Sequence, residues 1–493
     1  MAWIAIDAGT TVIKAVAFGR NGEELALARE KTTVLHPQPN HCEQSMDSVW
    51  RSIVSTVRQV IEQCGESIEG IVSTAQGDGC WMIDAAGSPV RNAVLWNDGR
   101  ANSIVEQWQE RDVLERAFRI SGSVSYPGLP NAIISWLQKY EPQSIARARW
   151  ILTCNGWILS CMTGHIAADL SDASNPFSDI SARTYSYALM KSFELEDIAE
   201  ILPRIARGDE VSAPLLPNAA EQMGLQAGIP VVMAPYDIVT TAFGCGAALP
   251  GQACVILGTT ICAETITSFP DLTGHISGTT IALEKGLYLR AMPTLTGCEA
   301  QEWAARVFAQ GDLEKLGRLA SEAKPSMQVP FFFPYLSSAG ERSPFLAPQA
   351  SGSFHGLSFF SSSSQIAHAV YEGLSFVIRE CLGTATKEPV HEIRVAGGGA
   401  RNDFWCQMMA NVIGVKVIRT SGNEHGARGA FLFALTVTGQ IESIAAGLHR
   451  YECKERVFEP CDEMHAVYSN RYNLWLTLRE TASRQWSLLR GAQ

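Results

Sequence analysis

The strongest constraint on the fold is a pattern of strand, tight turn and strand that occurs twice. Residues 3–7 form an apolar segment ending in the carboxylate of Asp7, Gly9-Thr10-Thr11 makes a turn, and residues 12–18 continue as a second strand. The same order recurs around Gly258-Thr259-Thr260, 249 positions further along. Repetition at half the chain length predicts two domains of similar core topology that face each other across a cleft.

Length and composition fit this prediction and exclude several classes of partner. The chain has 493 residues, enough for two sizeable cores, and its 18% charged and 46% hydrophobic residues are typical of soluble globular proteins. A net charge of −11 argues against nucleic acid or an anionic membrane surface as a partner. The longest uncharged stretch, residues 238–263, contains several glycines and a proline, so we expect buried strands and a turn there.

Cysteine usage and the N-terminal residues bear on the compartment. The 13 cysteines are an odd number, and none is paired at the spacing of a metal finger or a redox motif, so we expect small buried hydrophobes in a reducing cytoplasm. Asp7 and Lys14 interrupt any signal-peptide core. Whether the chain forms a homodimer is left open by the sequence.

Between the two repeats, helical and strand patterns alternate, which is typical of the α/β class. Ser45 is placed to cap a helix with apolar residues at helical spacing, and residues 70–74 then form a strand. A strand at 393–396, a helix at 402–413 and a strand at 415–418 follow later in the chain. We predict an N-terminal domain at residues 1–247 and a C-terminal domain at residues 248–493 with a mostly helical tail.

Two glycine-containing turns are candidates for phosphate or nucleotide binding. Asp7 ends a strand beside a Gly-Thr-Thr turn, so its carboxylate could hold Mg²⁺ while backbone N–H groups and threonine hydroxyls meet phosphate oxygens. Gly397-Gly398-Gly399 lies between a strand and a helix and lets a flat ring or a phosphate approach the backbone. The alternative for each is a plain tight turn.

Two further carboxylates allow both a structural and a chemical interpretation. Asp237 follows the predicted strand 229–234, where it would either cap the next helix or take part in proton chemistry in a cleft. Asp78 lies in Gly77-Asp78-Gly79 between predicted strands, a sequence typical of a hairpin turn. If Asp78 instead points into the cleft, it can accept hydrogen bonds from hydroxyl groups of a substrate.

An ordered set of motifs resembles the FGGY carbohydrate kinases, a family that includes glycerol kinase, xylulokinase, ribulokinase and L-xylulose kinase. The resemblance covers nearly the whole chain. The motifs are Ile6-Asp7-Ala8-Gly9-Thr10-Thr11, Trp96-Asn97-Asp98-Gly99-Arg100, Tyr236-Asp237, Leu257-Gly258-Thr259-Thr260, Pro334-Tyr335-Leu336, Gly340-Glu341-Arg342-Ser343-Pro344 and Gly397-Gly398-Gly399. One departure is Ile133, which stands where the family usually has Lys. The absence of that Lys, together with Ala75-Gln76-Gly77, makes the chain similar to the L-xylulose kinase branch.

The resemblance implies two actin-like domains with ribonuclease-H-like cores that close over ATP and a sugar. The N-terminal domain (1–247) would bind the sugar, and the C-terminal domain (248–493) would bind the nucleotide. Asp237 would be the catalytic base, and Asp7 would organise Mg²⁺. Sugar-binding residues would be Gln76, Asp78, Trp96, Asp98 and Asp237. Residues that bind the nucleotide would be Thr10, Thr11, Lys14, Gly258, Thr259, Thr260, Gly297, Gly398, Gly399 and Asn402. Asp98 with Arg100 could equally form an internal ion pair that shapes its loop.

The function expected from these residues is transfer of the γ-phosphoryl group of ATP to a hydroxyl of a small open-chain sugar, such as the ketopentose xylulose or L-xylulose. One alternative is a polyol kinase acting on erythritol or glycerol. A second is a nucleotide-binding sensor on the same fold that has lost transfer chemistry, against which the retention of Asp7 and Asp237 argues.

Overall fold

The computed structural model describes residues 1–326 and 328–490, and it is a mixed α/β structure. In the first part of the chain the strands are β1 (Ala2–Ala8), β2 (Val12–Phe18), β3 (Glu24–Lys31), β4 (Glu43–Gln44), β5 (Ile68–Ala75), β6 (Trp81–Ile83), β7 (Ala93–Val94), β8 (Trp150–Leu152), β9 (Ala167–Ala168), β10 (Ser178–Asp179), β11 (Thr184–Tyr185), β12 (Arg204–Ile205), β13 (Ser212–Pro214) and β14 (Pro230–Met233). The helices are α1 (Met46–Cys64), α2 (Asn102–Glu110), α3 (Val113–Ser121), α4 (Pro130–Tyr140), α5 (Pro142–Arg147), α6 (Cys154–Thr163), α7 (Leu170–Ser174), α8 (Tyr187–Ser192), α9 (Pro217–Met223) and α10 (Asp237–Cys245).

The second part of the chain repeats this alternation. Its strands are β15 (Gln252–Leu257), β16 (Ile261–Thr267), β17 (Thr279–Ala282), β18 (Tyr288–Pro293), β19 (Phe331–Phe333), β20 (Ser353–His355), β21 (Glu392–Ala396), β22 (Lys416–Thr420) and β23 (Glu455–Phe458). Its helices are α11 (Cys298–Phe308), α12 (Leu313–Glu322), α13 (Ser363–Ala385), α14 (Asp403–Ile413), α15 (His425–Val437), α16 (Ile444–Arg450) and α17 (Asp462–Arg490).

Two large sheets share one topology. The N-terminal sheet has the order β13-β14-β5-β1-β2-β3, and the C-terminal sheet has the order β17-β18-β16-β15-β21-β22-β23. Every ladder of the N-terminal sheet has a counterpart: β1 pairs with β2 antiparallel and with β5 parallel, as β15 pairs with β16 and with β21. The C-terminal sheet has one additional edge strand, β17, which pairs with β18. The outer pairs β13–β14 and β22–β23 are both antiparallel. The internal repeat inferred from the two Gly-Thr-Thr turns is therefore a repeat of whole sheets.

Helices α10 and α15 lie between the two sheets, where one apolar core joins all four elements. Buried side chains of α10, α15, the N-terminal sheet and the inner face of the C-terminal sheet belong to a single cluster. Phe431 of α15 stacks on Phe18 of the N-terminal sheet with ring centres 4.9 Å apart. A helix from the second half thus completes the core of the first, although all strands of the N-terminal sheet precede residue 247. The boundary between residues 247 and 248 stays a prediction.

The two central helices cross in backbone contact at a pair of glycines. A Cβ added to Gly244 of α10 would lie 1.8 Å from the carbonyl oxygen of His425, and one added to Gly429 of α15 would lie 1.8 Å from that of Thr240. Only glycine permits this approach, because any side chain there would overlap the backbone of the other helix. The contact fixes the position of both helix N-termini, and Asp237 is the first residue of α10.

Most of the secondary structure predicted from sequence is confirmed. Ser45 caps α1 by accepting a hydrogen bond from the Ser48 backbone N–H, and β2 agrees with the predicted bounds. Two expectations are wrong. Gly77-Asp78-Gly79 does not connect a hairpin, because β6 pairs with β8 while β5 pairs with β1 and β14. The stretch at 238–263 begins in helix α10 and not in a strand. Within residues 1–326 and 328–490, no helix is long and apolar enough to span a membrane.

We predict that Gly429→Ala lowers the free energy of unfolding by about 1–3 kcal/mol or more, since the added Cβ overlaps backbone that cannot move aside as a flexible side chain would. The measurement is the denaturant midpoint or the melting temperature. The matched control is Gly383→Ala, in the exposed face of α13, where an added Cβ meets nothing within 4 Å. That variant should be neutral or more stable by up to about 1 kcal/mol. Equal effects of the two substitutions would show that the crossing is not tightly packed.

Candidate active site

The carboxylate of Asp237 lies at the start of α10, four residues after β14 ends at Met233. Tyr236, not Asp237, occupies the cap position. Burial raises the pKa of Asp237 to about 7; the negative charge of Asp7 adds to this effect and the Ile238 backbone N–H opposes it, while Asp78 raises the value and Lys14 lowers it. Asp237 is thus a carboxylate whose ionisation falls near neutral pH and whose charged neighbours come from different strands and loops.

Asp7 lies beside Lys14 at the end of β1. The two residues are cross-strand partners in the β1–β2 ladder, and Lys14 Nζ is 3.3 Å from Asp7 Oδ2. Burial raises the pKa of Asp7, and the Lys14 ammonium opposes that effect. A Cβ added to Gly426 would lie 3.3 Å from Asp7 Oδ2, which shows how closely the start of α15 approaches this carboxylate.

Glu424 extends this charge cluster from the second half of the chain, and the sequence analysis did not identify it. Lys14 Nζ lies 3.2 Å from Glu424 Oε2, and Arg29 also pairs with Glu424, whose side chain is 3% exposed. Lys14, Arg29, Gly397, Gly398 and Glu424 line one cleft of about 500 Å³ between the two sheets. The structure therefore brings the predicted nucleotide residues Lys14 and Gly398 to a common cleft.

The second Gly-Thr-Thr turn is held by the N-terminus of α11. The Cys298 and Glu299 backbone N–H groups donate to the carbonyl oxygens of Gly258 and Thr259 at 3.0 and 3.3 Å. A Cβ added to Gly297 would lie 2.5 Å from the Thr260 carbonyl carbon, so glycine is required for this contact. The side chain of Thr259 is exposed, as is that of Thr11 in the first turn, which leaves both hydroxyls free to reach an external group.

The Gly397-Gly398-Gly399 segment packs against the same region. A Cβ added to Gly399 would lie 2.7 Å from Cys298 Sγ, whereas one at Gly398 would meet nothing within 4 Å. Asn402 caps α14 by accepting a hydrogen bond from the Trp405 backbone N–H at 3.2 Å, and its amide donates to Tyr371. Gly398 is accordingly open to a ligand, while Asn402 has a structural role that the sequence analysis did not assign.

Thr10, Gln76 and Trp96 form one hydrogen-bond network around the first turn. The Thr10 hydroxyl donates to Gln76 Oε1 at 2.7 Å and accepts from the Trp96 indole N–H at 2.9 Å. Gln44 completes the network by accepting from the Gln76 amide and donating to the Thr10 carbonyl. Gln76 is 3% exposed, and both its amide oxygen and its amide nitrogen are engaged in hydrogen bonds within this network. It therefore supports the first turn from the buried side. Trp96 is only partly buried.

Asp98 adopts the alternative arrangement considered from sequence, an internal ion pair. Arg100 Nε lies 2.8 Å from Asp98 Oδ1, and the Cys42 backbone N–H donates to Asp98 Oδ2 at 2.6 Å. Both side chains are 0% exposed. The pair holds the loop that carries Trp96, and contact of Asp98 with a sugar stays a prediction that this arrangement does not support.

Asp78 is directed toward Tyr126 and Arg342, which the sequence analysis did not assign to the site. The Tyr126 hydroxyl donates to Asp78 Oδ2 at 2.6 Å, and the Arg342 guanidinium carbon lies 5.2 Å from the centre of the Tyr126 ring. Burial raises the pKa of Asp78 to about 6, and Tyr126 and Arg342 oppose that effect. Tyr126 lies seven residues before Ile133, the position that departs from the family pattern, and this proximity in sequence is the signal that could have indicated Tyr126.

The arrangement suits phosphoryl transfer to a hydroxyl group. The pKa of the buried carboxylate of Asp237 is near neutral, and the charges of Asp7, Asp78 and Lys14 all act on it. No cluster of three or more metal-ligating side chains occurs in residues 1–326 and 328–490. A single carboxylate is nonetheless a sufficient protein ligand for Mg²⁺ that is bound mainly through substrate phosphates and water. Asp7 fits this role, because Oδ1 has no hydrogen-bond partner in the described part of the chain.

Comparison with known proteins agrees with the geometry. Residues 2–244 match the profile of the N-terminal domain of the FGGY family of carbohydrate kinases, and residues 253–437 match that of its C-terminal domain. Similar relatives are a xylulose kinase of Escherichia coli, 28% identical over 99% of both chains, and a probable L-xylulose kinase of Haemophilus influenzae, 26% identical over 97% of this chain and 98% of that one.

Among solved structures, a ligand-bound xylulose kinase from Lactobacillus acidophilus superposes with a TM-score of 0.93 at 21% identity, covering 99% of both chains, which supports the two-domain actin-like fold. The two profile matches span most of the sequence. This chain therefore belongs to the FGGY family of carbohydrate kinases and is a sugar phosphotransferase.

Proposed function

We propose that the chain transfers the γ-phosphoryl group of ATP to a hydroxyl of a small open-chain sugar, a ketopentose of the xylulose type. The observation that carries this proposal is the buried carboxylate of Asp237 at the start of α10, whose pKa is raised to about 7 by burial and by the negative charges of Asp7 and Asp78. In this role the carboxylate accepts the proton of the attacking hydroxyl while the phosphoryl group passes in line to the oxygen. A kinase of this family implies ATP as the donor; Mg²⁺ is part of the proposal.

The phosphate side of the site is assigned to the two Gly-Thr-Thr turns and Asp7. Mg²⁺ bound at Asp7 would neutralise negative charge on the phosphates. Lys14 supplies a positive charge next to Asp7, and the exposed hydroxyls of Thr11 and Thr259 are free to donate to phosphate oxygens. The glycine segment at Gly398 leaves the space that a flat adenine ring requires.

The acceptor side is assigned to Asp78, Tyr126 and Trp96. Trp96 uses its indole N–H to bind Thr10, so its ring face remains for the carbon chain of a sugar. The choice of a ketopentose rests on the family motifs and on relatives named xylulose and L-xylulose kinases. Ile133, where the family usually has Lys, is 0% exposed in α4, so this position offers an acceptor no polar group.

The experiment that tests the proposal is ADP release from ATP and Mg²⁺ with a panel of D- and L-ketopentoses, erythritol, glycerol and gluconate. A ketopentose should give the highest kcat/KM. Preference for erythritol or glycerol would favour the polyol kinase, and release no higher than background with every compound would favour the sensor.

We predict that Asp237→Asn lowers kcat by at least about a hundredfold, because the amide keeps the shape of the side chain and removes the proton acceptor. The fold and the ATP affinity should be retained, which thermal unfolding and nucleotide titration would check. A folded Asp237→Asn protein with near-normal kcat would exclude Asp237 as the base.

The raised pKa of Asp237 predicts a pH dependence. A base must be ionised to act, so at saturating ATP the kcat/KM for the sugar should fall by about tenfold per pH unit below pH 7 and level off above it. The profile from pH 5 to 9 is the measurement, and ATP affinity over the same range is the control for loss of nucleotide binding. A flat profile through pH 7 would contradict the role of a buried base.

Asp78 provides a test of the acceptor side. Asp78 has a φ of 57°, a left-handed conformation that Asn adopts more readily than Ala. Asp78→Asn therefore removes the negative charge with less backbone strain than Asp78→Ala would cause. We expect KM for the best sugar to rise about 10- to 100-fold, from loss of hydrogen bonds worth about 1.5–3 kcal/mol, with KM for ATP unchanged. An unaltered sugar KM together with a lowered melting temperature would show that Asp78 only builds its turn.

A further inference from the structure

The proposed function gives no role to the Gly340-Glu341-Arg342-Ser343-Pro344 segment, which forms a tightly held loop. Glu341 is 2% exposed, and its carboxylate accepts hydrogen bonds from the Leu295 and Arg342 backbone N–H groups at 2.7 and 2.9 Å. A Cβ added to Gly340, whose φ is 79°, would lie 2.2 Å from the Ala347 carbonyl oxygen. The backbone at Arg342 therefore has little freedom.

The Arg342 side chain projects from this loop to the acceptor side of the site. Its Nε–H donates to the Pro293 carbonyl at 3.0 Å, which orients the guanidinium, and the guanidinium carbon lies 5.2 Å from the centre of the Tyr126 ring. In the described part of the chain its two terminal nitrogens have no hydrogen-bond partner and no carboxylate within ion-pair distance. The buried Arg100, by contrast, is paired with Asp98 and Glu43.

Arg342 and Asp78 come from opposite halves of the chain, and both contact Tyr126. Tyr126 donates its hydroxyl proton to Asp78 and meets the guanidinium through its ring. An ionised Asp78 can only accept hydrogen bonds, and Arg342 can only donate them. A molecule that bridges the two needs a hydroxyl for Asp78 and, nearby, an oxygen for the guanidinium. A ketone carbonyl or carboxylate oxygen only accepts hydrogen bonds, so it can bind the guanidinium and carries no proton that would need an acceptor of its own.

We propose that Arg342 binds the acceptor and selects sugars that carry a carbonyl or carboxylate oxygen close to a hydroxyl, over polyols. This inference rests on the proposed transfer of a phosphoryl group to a sugar, and it identifies which chemical class of sugar the site takes. It also means that the acceptor pocket is complete only when both halves of the chain contribute to it.

A competing role for Arg342 is contact with the phosphates of ATP. Its loop is anchored on Leu295, and Gly297, two residues further on, touches the Gly258-Thr259-Thr260 turn. The two roles differ in what the loss of the guanidinium changes. Loss of an acceptor ligand raises KM for the sugar, whereas loss of a phosphate ligand raises KM for ATP or lowers kcat alike for every sugar.

The test compares Arg342→Gln and Arg342→Lys with the wild type on three acceptors: a ketopentose, the polyol with the same carbon skeleton, and an aldonate. The matched control is Arg306→Gln, an exposed arginine on α11 in the same half of the chain. We expect Arg342→Gln to lower kcat/KM for the favoured carbonyl or carboxylate sugar by about 10- to 100-fold, with a change below about threefold for the polyol and for KM of ATP. Arg342→Lys should recover part of the loss, and preference between ketopentose and aldonate identifies which oxygen is bound.

An equal loss on the ketopentose and the polyol, or a raised KM for ATP, would overturn the inference. Calorimetric titration of the same three compounds into the wild type and Arg342→Gln, without ATP, distinguishes failure of this inference from failure of the proposed function. If the wild type phosphorylates none of them, the proposed function fails. Binding of the carbonyl or carboxylate sugar that is about 10- to 100-fold weaker in Arg342→Gln would still support the role of Arg342, and unchanged or absent binding would overturn it.

Discussion

The backbone contact between α10 and α15 is the interaction on which the rest of the structure depends. Each helix crosses the other at a glycine, Gly244 or Gly429, and the pair fills the space between two sheets of the same topology. Because α15 comes from the second half and packs against the first sheet, the two halves share a core at this point. The crossing also fixes where the helices begin: Asp237 is the first residue of α10, and Gly426, the second residue of α15, lies close to the carboxylate of Asp7.

The position of these carboxylates explains why the site combines strong charges with burial. Burial of Asp237 and the nearby charge of Asp7 both favour the protonated form, which moves the pKa of Asp237 to about 7, where a carboxylate can take a proton from an alcohol and release it again. Lys14 pairs with both Asp7 and Glu424, on what we propose is the phosphate side. Asp78 and Arg342 are the corresponding opposite charges on the acceptor side, with no direct ion pair between them in the described residues. Asp78 accepts a hydrogen bond from Tyr126, whose ring lies beside the Arg342 guanidinium, and we propose that a substrate bridges Asp78 and Arg342 at this point.

Local patterns predicted a good part of this arrangement. The strand that ends at Asp7 and its glycine turn are specified by adjacent residues, as is the strand-to-helix junction at Asp237, and both are found where the sequence indicated. The hairpin at Asp78 was wrong because the strands after the turn pair with a segment about 70 residues away, which turn chemistry cannot reveal. Tyr126 and Arg342 were not assigned to the site, since their proximity to Asp78 arises from tertiary packing between segments distant in sequence.

The most direct test of this account is a crystal structure of the chain with a non-hydrolysable ATP analogue, Mg²⁺ and a ketopentose. We expect one sugar hydroxyl within hydrogen-bond reach of Asp237, about 2.6–3.2 Å, facing a γ-phosphate held on the side of Asp7 and the two threonine turns. The other end of the sugar should lie between Asp78 and Arg342. A sugar bound with no hydroxyl near Asp237, or phosphates placed on the Asp78 side, would contradict the central claim that Asp237 is the base between the two substrates.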